Sequence, residues 1–290
     1  MFHIMNKQSN GAKALLWIES NYNSLTKAEK KVADVVLQDT EKVVYSSVTD
    51  LAEMAATGET TVLRFCRKLG FRGYQEFKLA VAQDLVSPSE NVHGSIDEND
   101  SIGEIAQKIT ASNSQALKDT LSLLQEKELH KTVEALLSKK RIFFFGVGLS
   151  GVTAMDAQHR FMRLGFQAFW ANDAHIISMN CALTGPDDVV VGISTSGSTK
   201  DLVDAVRIAD QNGATIVCLT NHARSPITQY ADAVLLASSK ETPLQGGAFA
   251  SKLAQIHVLD ILSTIVALRQ KEKTFRAIEK TSKSVVDKLY

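Results

Sequence analysis

The chain has 290 residues, 44% apolar and 22% charged, with 32 Lys plus Arg balanced against 32 Asp plus Glu. That composition excludes the disordered, collagenous and coiled-coil classes, and the length suits two domains that can each bury a core. Cys66, Cys181 and Cys218 are widely spaced, odd in number and form no C-x-x-C pair, which excludes a disulfide framework and a zinc cluster, so no metal is expected. A reducing cytoplasm is the expected compartment. The apolar runs are short, the apolar C-terminal segment carries His257 and Asp260 in its middle, and the N-terminus has no signal-peptide pattern, so no membrane partner is expected.

Zero net charge does not exclude a nucleic-acid partner, because phosphate binding depends on a local basic face. Residues 1–80 hold eleven Lys plus Arg against nine Asp plus Glu, and within 64–78 five cations (Arg64, Arg67, Lys68, Arg72, Lys78) face Glu76 alone.

In chain order, residues 11–85 repeat apolar positions at three and four, which predicts short helices. Ser87-Pro88-Ser89 onward is polar and breaks that period, so a linker is placed at 86–101. Helical spacing returns over 102–138. Continuous apolar runs at 142–146, 167–171, 189–193, 215–219 and 233–237 then alternate with helical stretches at 151–164, 174–183, 200–212 and 247–270. Runs apolar on both faces that alternate with helices predict a parallel sheet covered on both sides. The expected fold is an all-α domain over 1–85 followed by an α/β doubly wound, Rossmann-like domain over 102–290.

Within the first domain, residues 51–55, the short segment Ala56-Thr57-Gly58 and residues 59–70 read as helix, turn, helix. Ser47 can cap the first helix, with Asp50 at its third position, and Gly70 can end the second in a left-handed conformation. Small Ala52 and Ala56 are expected at the helix crossing, and Leu51, Val62 and Phe65 in the shared contact. The opposite side of the second helix then carries Thr60, Thr61, Arg64, Arg67 and Lys68, followed by Arg72 and Tyr74. Hydroxyls at the helix start and cations further along are what a recognition helix needs to meet bases and phosphates. A solvated charged face is the plainer reading of the same residues.

Two loops of the second domain read as anion sites. Gly146-Val147-Gly148-Leu149-Ser150-Gly151 follows the first strand and fits the dinucleotide pattern G-x-G-x-x-G, with Asp173 at the end of the second strand. Ser194-Thr195-Ser196-Gly197-Ser198-Thr199 follows the third strand. There Ser194, Ser196 and Thr199 can converge around Gly197 at a helix start on one phosphate monoester. Both lie at the carboxyl ends of strands, where doubly wound sheets bind ligands. A dinucleotide gives no reason for the second loop.

The helix-turn-helix ending in Arg64-Phe65-Cys66-Arg67-Lys68-Leu69-Gly70, Asp173-x-His175, the S-x-S-G-x-T loop and Ser251-Lys252-Leu253-Ala254-Gln255 together resemble the RpiR family of bacterial transcriptional regulators, in which a helix-turn-helix domain precedes a sugar isomerase (SIS) domain. The resemblance covers nearly the whole chain. It implies a phosphosugar held by Ser194, Ser196 and Thr199, joined by Ser150, with Gly148 and Gly197 in the loops and His175, Glu241 and Lys252 as further sugar contacts. It also implies a DNA-binding regulator of sugar-catabolic genes, with no cofactor and no catalytic residue, working on operator DNA as a homodimer or dimer of dimers. Ala56 stands where the family often has the turn glycine, and Gly58 where it often has serine. Ser198 and Lys252 replace a common acidic residue and arginine. Two other readings compete: a phosphosugar isomerase using Glu241 or a histidine as base, and a redox repressor binding a nicotinamide dinucleotide through Gly146, Gly148, Gly151 and Asp173.

Overall fold

A computed structural model of the chain describes residues 14–85, 96–97, 99–238 and 249–286. Residues 14–85 form six helices: α1 (Ala14–Asn21), α2 (Lys27–Gln38), α3 (Thr40–Tyr45), α4 (Val48–Met54), α5 (Glu59–Lys68) and α6 (Tyr74–Asp84). Ser47, the cap the sequence predicts, and Asp50 cap α4 reciprocally, and Thr26 and Glu29 do the same for α2. Each helix turns its apolar stripe inward: Val32 and Val36 of α2, Leu51 of α4, Val62 and Phe65 of α5, and Phe77 of α6 are fully buried in one core. Phe65 and Phe77 meet edge to face at 5.5 Å.

Gly70 takes φ +93 just beyond α5, the left-handed conformation expected of it. Ala56 corrects an expectation. It is exposed in the turn after α4 at φ +46, so its role lies in the backbone and only Ala52 is buried of the small pair.

The remaining elements are α7 (Ile102–Leu123), α8 (Glu126–Ser138), β1 (Arg141–Phe145), α9 (Leu149–Arg163), β2 (Gln167–Ala171), α10 (Ala174–Ala182), β3 (Asp188–Ile193), α11 (Lys200–Gln211), β4 (Thr215–Thr220), a 3-10 turn (Pro226–Tyr230), β5 (Ala233–Leu236), α12 (Phe249–Arg269) and α13 (Lys271–Lys283). The chain divides into two compact units that part between Lys108 and Ile109, inside α7.

The five strands are parallel in the order β2-β1-β3-β4-β5. Alternate residues feed two cores. Ile142, Phe144, Val189, Val191 and Ile193 pack with α8, α9 and α12, while Phe143, Phe145 and Val190 pack with α10, α11 and the 3-10 turn. This is the covered-on-both-faces sheet expected from the apolar runs. At its amino end, Arg141 grips the buried Asp188 through two hydrogen bonds of 2.7 Å, tying β1 to β3. Burial raises the Asp188 carboxyl, but the Arg141 guanidinium and the Gly185 amide outweigh it and hold it below the usual range.

Residues 251–269 are long and apolar enough to span a bilayer by length and composition. In the fold, however, Ala254, Val258, Leu259, Leu262 and Val266 of α12 are buried in the sheet core. Cys66, Cys181 and Cys218 are all buried free thiols, and burial pushes each up to about 12.

Candidate functional site

The crossovers from β1 and β3 run in opposite directions along the sheet, so the loops after these two adjacent strands flank its switch point. Register pairs Phe145 with Gly192, which brings Gly146 and Ile193, and hence both expected anion loops, to the same end.

The β3 loop is tightly organised. Ser194 is 3% exposed. Its hydroxyl accepts the Gly197 amide at 3.1 Å and lies 3.3 Å from the Thr199 hydroxyl, so these two groups do converge. Gly197 has φ +61, and a Cβ there would fall 2.1 Å from Ser225 Oγ. Only glycine fits. Ser196 Oγ accepts the Ser198 amide at 3.2 Å, and Ser198 Oγ donates to the Ser196 carbonyl at 3.1 Å. Thr199 is the N-cap of α11 but makes no side-chain cap, so hydroxyls and helix-start amides are gathered at the positive end of the helix dipole.

The β1 loop faces the same crevice. Gly148 is exposed, with φ +61, and caps α9, whose second residue, Ser150, is half-buried. Each glycine of the dinucleotide-like pattern has a structural reason that needs no ligand. A Cβ on Gly146 would fall 2.6 Å from Ser150 O, one on Gly151 2.4 Å from Asn172 Cβ, and Gly148 needs its positive φ. Asp173, the expected ribose partner, spends its carboxylate on capping α10, where one oxygen accepts the His175 and Ile176 amides at 3.0 Å each. The sheet order also differs from the 3-2-1-4-5-6 order of dinucleotide folds. These observations weigh against the nicotinamide reading.

Of the other sugar-contact candidates, His175 is exposed in the first turn of α10. Lys252, near the start of α12, donates to the Leu149 carbonyl and lies 3.5 Å from Thr153 Oγ1, so it joins the β1 loop. Glu241 lies outside the described residues. No group of three or more metal-ligating side chains occurs among the described residues.

The sequence marks Gln255 only as the last residue of the Ser251-Lys252-Leu253-Ala254-Gln255 segment. It is 1% exposed, donates to Thr195 Oγ1 at 3.1 Å and accepts from Thr153 Oγ1 at 3.4 Å, linking the β3 loop to α9. A glutamine as the seventh residue of a long apolar helix is the available signal. Ser225 behind Gly197 had none.

In the first unit, α4 and α5 form the expected helix-turn-helix. Thr49 donates to Glu59 across the turn at 2.5 Å. Thr60, Arg64 and Arg67 are exposed on the outer side of α5, and Thr61 is half-buried, accepting a 3.4 Å hydrogen bond from Arg64. Arg72 is almost fully exposed, its guanidinium 3.5 Å from Glu76.

Three residues of the basic segment 64–78 stand differently from expectation. Tyr74 is 4% exposed and donates to the Ser46 carbonyl at 3.0 Å, so its side chain belongs to the core and not to a DNA face. Lys78 is 7% exposed and donates to the same carbonyl at 2.9 Å; burial pushes its ammonium down to about 8, against a smaller opposing pull from Asp50. Lys68 donates to Ser24 O at 2.6 Å and pairs with Glu29 at 3.1 Å. The exposed cations reduce to Arg64, Arg67, Arg72 and a partly neutralised Lys68.

Comparison with known proteins fits this layout. The helix-turn-helix domain model of the rpiR family matches residues 12–88, and the SIS domain model matches residues 135–265. An HTH-type transcriptional regulator of Haemophilus influenzae is 40% identical over 273 residues, covering 90% of this chain and 94% of the relative. The HTH-type transcriptional regulator HexR of Escherichia coli is 34% identical over 257 residues, covering 88% of each. Among solved structures, Vibrio vulnificus NanR in complex with ManNAc-6P superposes with a TM-score of 0.85 at 30% identity, covering 96% of this chain and 99% of that one. The fold and its paired loops define a helix-turn-helix regulator with a SIS domain. The chain belongs to the rpiR family.

Proposed function

We propose that a phosphosugar seated at the β1/β3 switch point controls the affinity of this regulator for operator DNA upstream of sugar-catabolic genes. The carrying observation is the convergence of Ser194 and Thr199 on the uncapped start of α11, with Gly197 holding the turn. A phosphate monoester fits such a cup of hydroxyls and amides. Ser196 and Ser150 complete it, Gly148 lets the β1 loop approach, and His175, Glu241 and Lys252 contact the sugar. NanR, similar along its whole length, is described with a phosphosugar bound.

Thr60, Thr61, Arg64, Arg67, Lys68 and Arg72 meet the DNA, with residues 1–85 as the binding domain, 86–101 as linker and 102–290 as sensor. The protein works in the cytoplasm, as a sensor and not as an isomerase; the relatives are named as transcriptional regulators. It acts as a homodimer or dimer of dimers. Ile176 and Met179 of α10 and Leu183 at its C-cap support this, since they stand exposed at i, i+3 and i+7 as an outward apolar stripe. Coupling then requires the effector to prefer one of two dimer geometries that space the recognition helices differently.

A thermal-shift screen of hexose, pentose, amino-sugar and sugar-acid phosphates identifies the effector, because a ligand at 100 times its Kd adds roughly 2.7 kcal/mol. The Ser196→Ala/Thr199→Ala variant should bind operator and lose the response. Arg64→Ala should weaken operator binding and keep it. Stabilisation by NADH and by no sugar phosphate would overturn the assignment.

A further inference from the structure

A second concentration of charge lies at the other end of α12. From Ser251, near the anion loops, to Gln270 the helix runs about 28 Å. There the chain turns at Gln270 into α13, which starts without a side-chain cap. An open cavity of about 820 Å³ occupies this corner. Arg269, Lys271, Lys273, Arg276 and Lys280 line it, with Glu272 the single acid among the lining residues. Its inner wall is a close approach of α13 to the turn after α9, since a Cβ on Gly165 would fall 2.8 Å from Ala277 Cβ.

The cations are incompletely neutralised from within. Arg269 pairs with Glu134 at 2.8 Å, Arg276 approaches Glu272 only to 3.7 Å, and Lys273 lies over the Phe166 ring at 5.4 Å. Lys271 and Lys280 have no acidic partner among the described residues. Two polar groups at the same corner are buried without a hydrogen-bond partner: the side-chain amide nitrogen of Gln270, which lines the cavity, and the hydroxyl of Thr274, a residue 5% exposed. Unpaired buried groups of this kind are uncommon and call for a reason.

We propose that this corner binds a small molecule carrying a chain of linked phosphates, such as a nucleoside triphosphate or inorganic polyphosphate. Five cations against one acid match three or four negative charges, whereas the hydroxyl cup of the β3 loop suits a single monoester. Lys273, Arg276 and Lys280 share one face of α13 at i, i+3 and i+7, and Lys273 and Lys280 are about 10 Å apart along the helix axis, further than one phosphate reaches. A concave site of this volume falls in the range of small-ligand pockets. The proposal does not rest on the phosphosugar reading, because it shares no residue with either anion loop.

The test is isothermal titration of the full-length protein with inorganic tripolyphosphate at about 0.15 M salt, where loose surface attraction is screened. Saturable binding at one site per chain is expected, with inorganic phosphate weaker by about a hundredfold. The Lys271→Ala/Lys280→Ala variant should bind tripolyphosphate at least about tenfold more weakly at unchanged melting temperature, and Gln270→Leu should weaken it independently. The Ser196→Ala/Thr199→Ala variant should bind it normally. Competition by ATP assigns a nucleotide as the source; its absence assigns inorganic polyphosphate. No saturable binding, equal affinity in the lysine variant, or loss in the loop variant would overturn the proposal. So would displacement of tripolyphosphate by an unrelated DNA duplex at lower concentration, which would make the corner a nucleic-acid surface.

Discussion

Gln255 holds Thr195 through a 3.1 Å hydrogen bond from its side-chain amide, and at its other end accepts from Thr153 at 3.4 Å. One buried side chain thus fixes the β3 loop against α9. Gln255→Leu preserves the volume and removes the bonds to both the Thr153 and the Thr195 hydroxyls. A stability loss of about 1–2 kcal/mol is expected, with phosphosugar affinity falling about tenfold. Thermal unfolding and effector titration measure the two separately, and unchanged affinity would remove Gln255 from the site.

Gly197→Ala places a methyl group against Ser225 in a backbone conformation that side chains rarely adopt. The clash and the positive φ together should cost about 3 kcal/mol. The loop must shift to relieve them, so effector stabilisation in a thermal-shift experiment should disappear even where the variant folds.

Ala56 is the opposite case, a side chain already present at φ +46. Ala56→Gly removes strain of about 1–2 kcal/mol and gives back part of it as unfolded-chain entropy, for a net gain of about 0.5–1 kcal/mol. The exposed turn lets that gain show in chemical denaturation with no loss of operator affinity. A lower midpoint than the parent protein would show that the turn is unstrained.

Lys78 makes stability depend on alkaline pH. Its folded value is depressed to about 8 from the ordinary 10.5, so between those limits the unfolded chain binds more protons than the folded one. Stability contributed by this group therefore rises as pH increases from about 8 to 10.5, by up to about 3 kcal/mol. Lys78→Met should flatten that part of the profile. Denaturation curves of both proteins across the interval test it, and parallel profiles would assign the titration elsewhere.

The inner strands β1, β3 and β4 were legible because each is an apolar run buried on both faces, and edge strand β2 was legible as an apolar run although it leaves Phe169 and Trp170 exposed. The β3 run 189–193 became Asp188–Ile193, extended at its start by the residue that Arg141 grips. The β3 loop was legible because hydroxyls and one glycine at a strand end leave few alternatives. Exposure within the basic cluster was not. Arg67 and Lys68 are neighbours, yet Arg67 is exposed and Lys68 reaches back to Ser24 and Glu29, and only the packing of α2 against α5 decides that. Tyr74 and Lys78 share a helical face, so the packing that buries one buries the other, and both close on the carbonyl of Ser46. The bridge made by Gln255 was likewise invisible, because its two partners stand 42 residues apart in the chain at Thr153 and Thr195.

The three cysteines carry a practical consequence. Each thiol is buried and held in its protonated form near neutrality, so an alkylating reagent can modify it only after the surrounding structure opens. Cys66 lies in the helical unit, while Cys181 and Cys218 lie in the sheet unit. Labelling rates resolved peptide by peptide therefore clock the opening of the two halves independently in the unmodified protein. Adding operator DNA should slow only the first clock, and adding the effector only the second, unless the two halves open together.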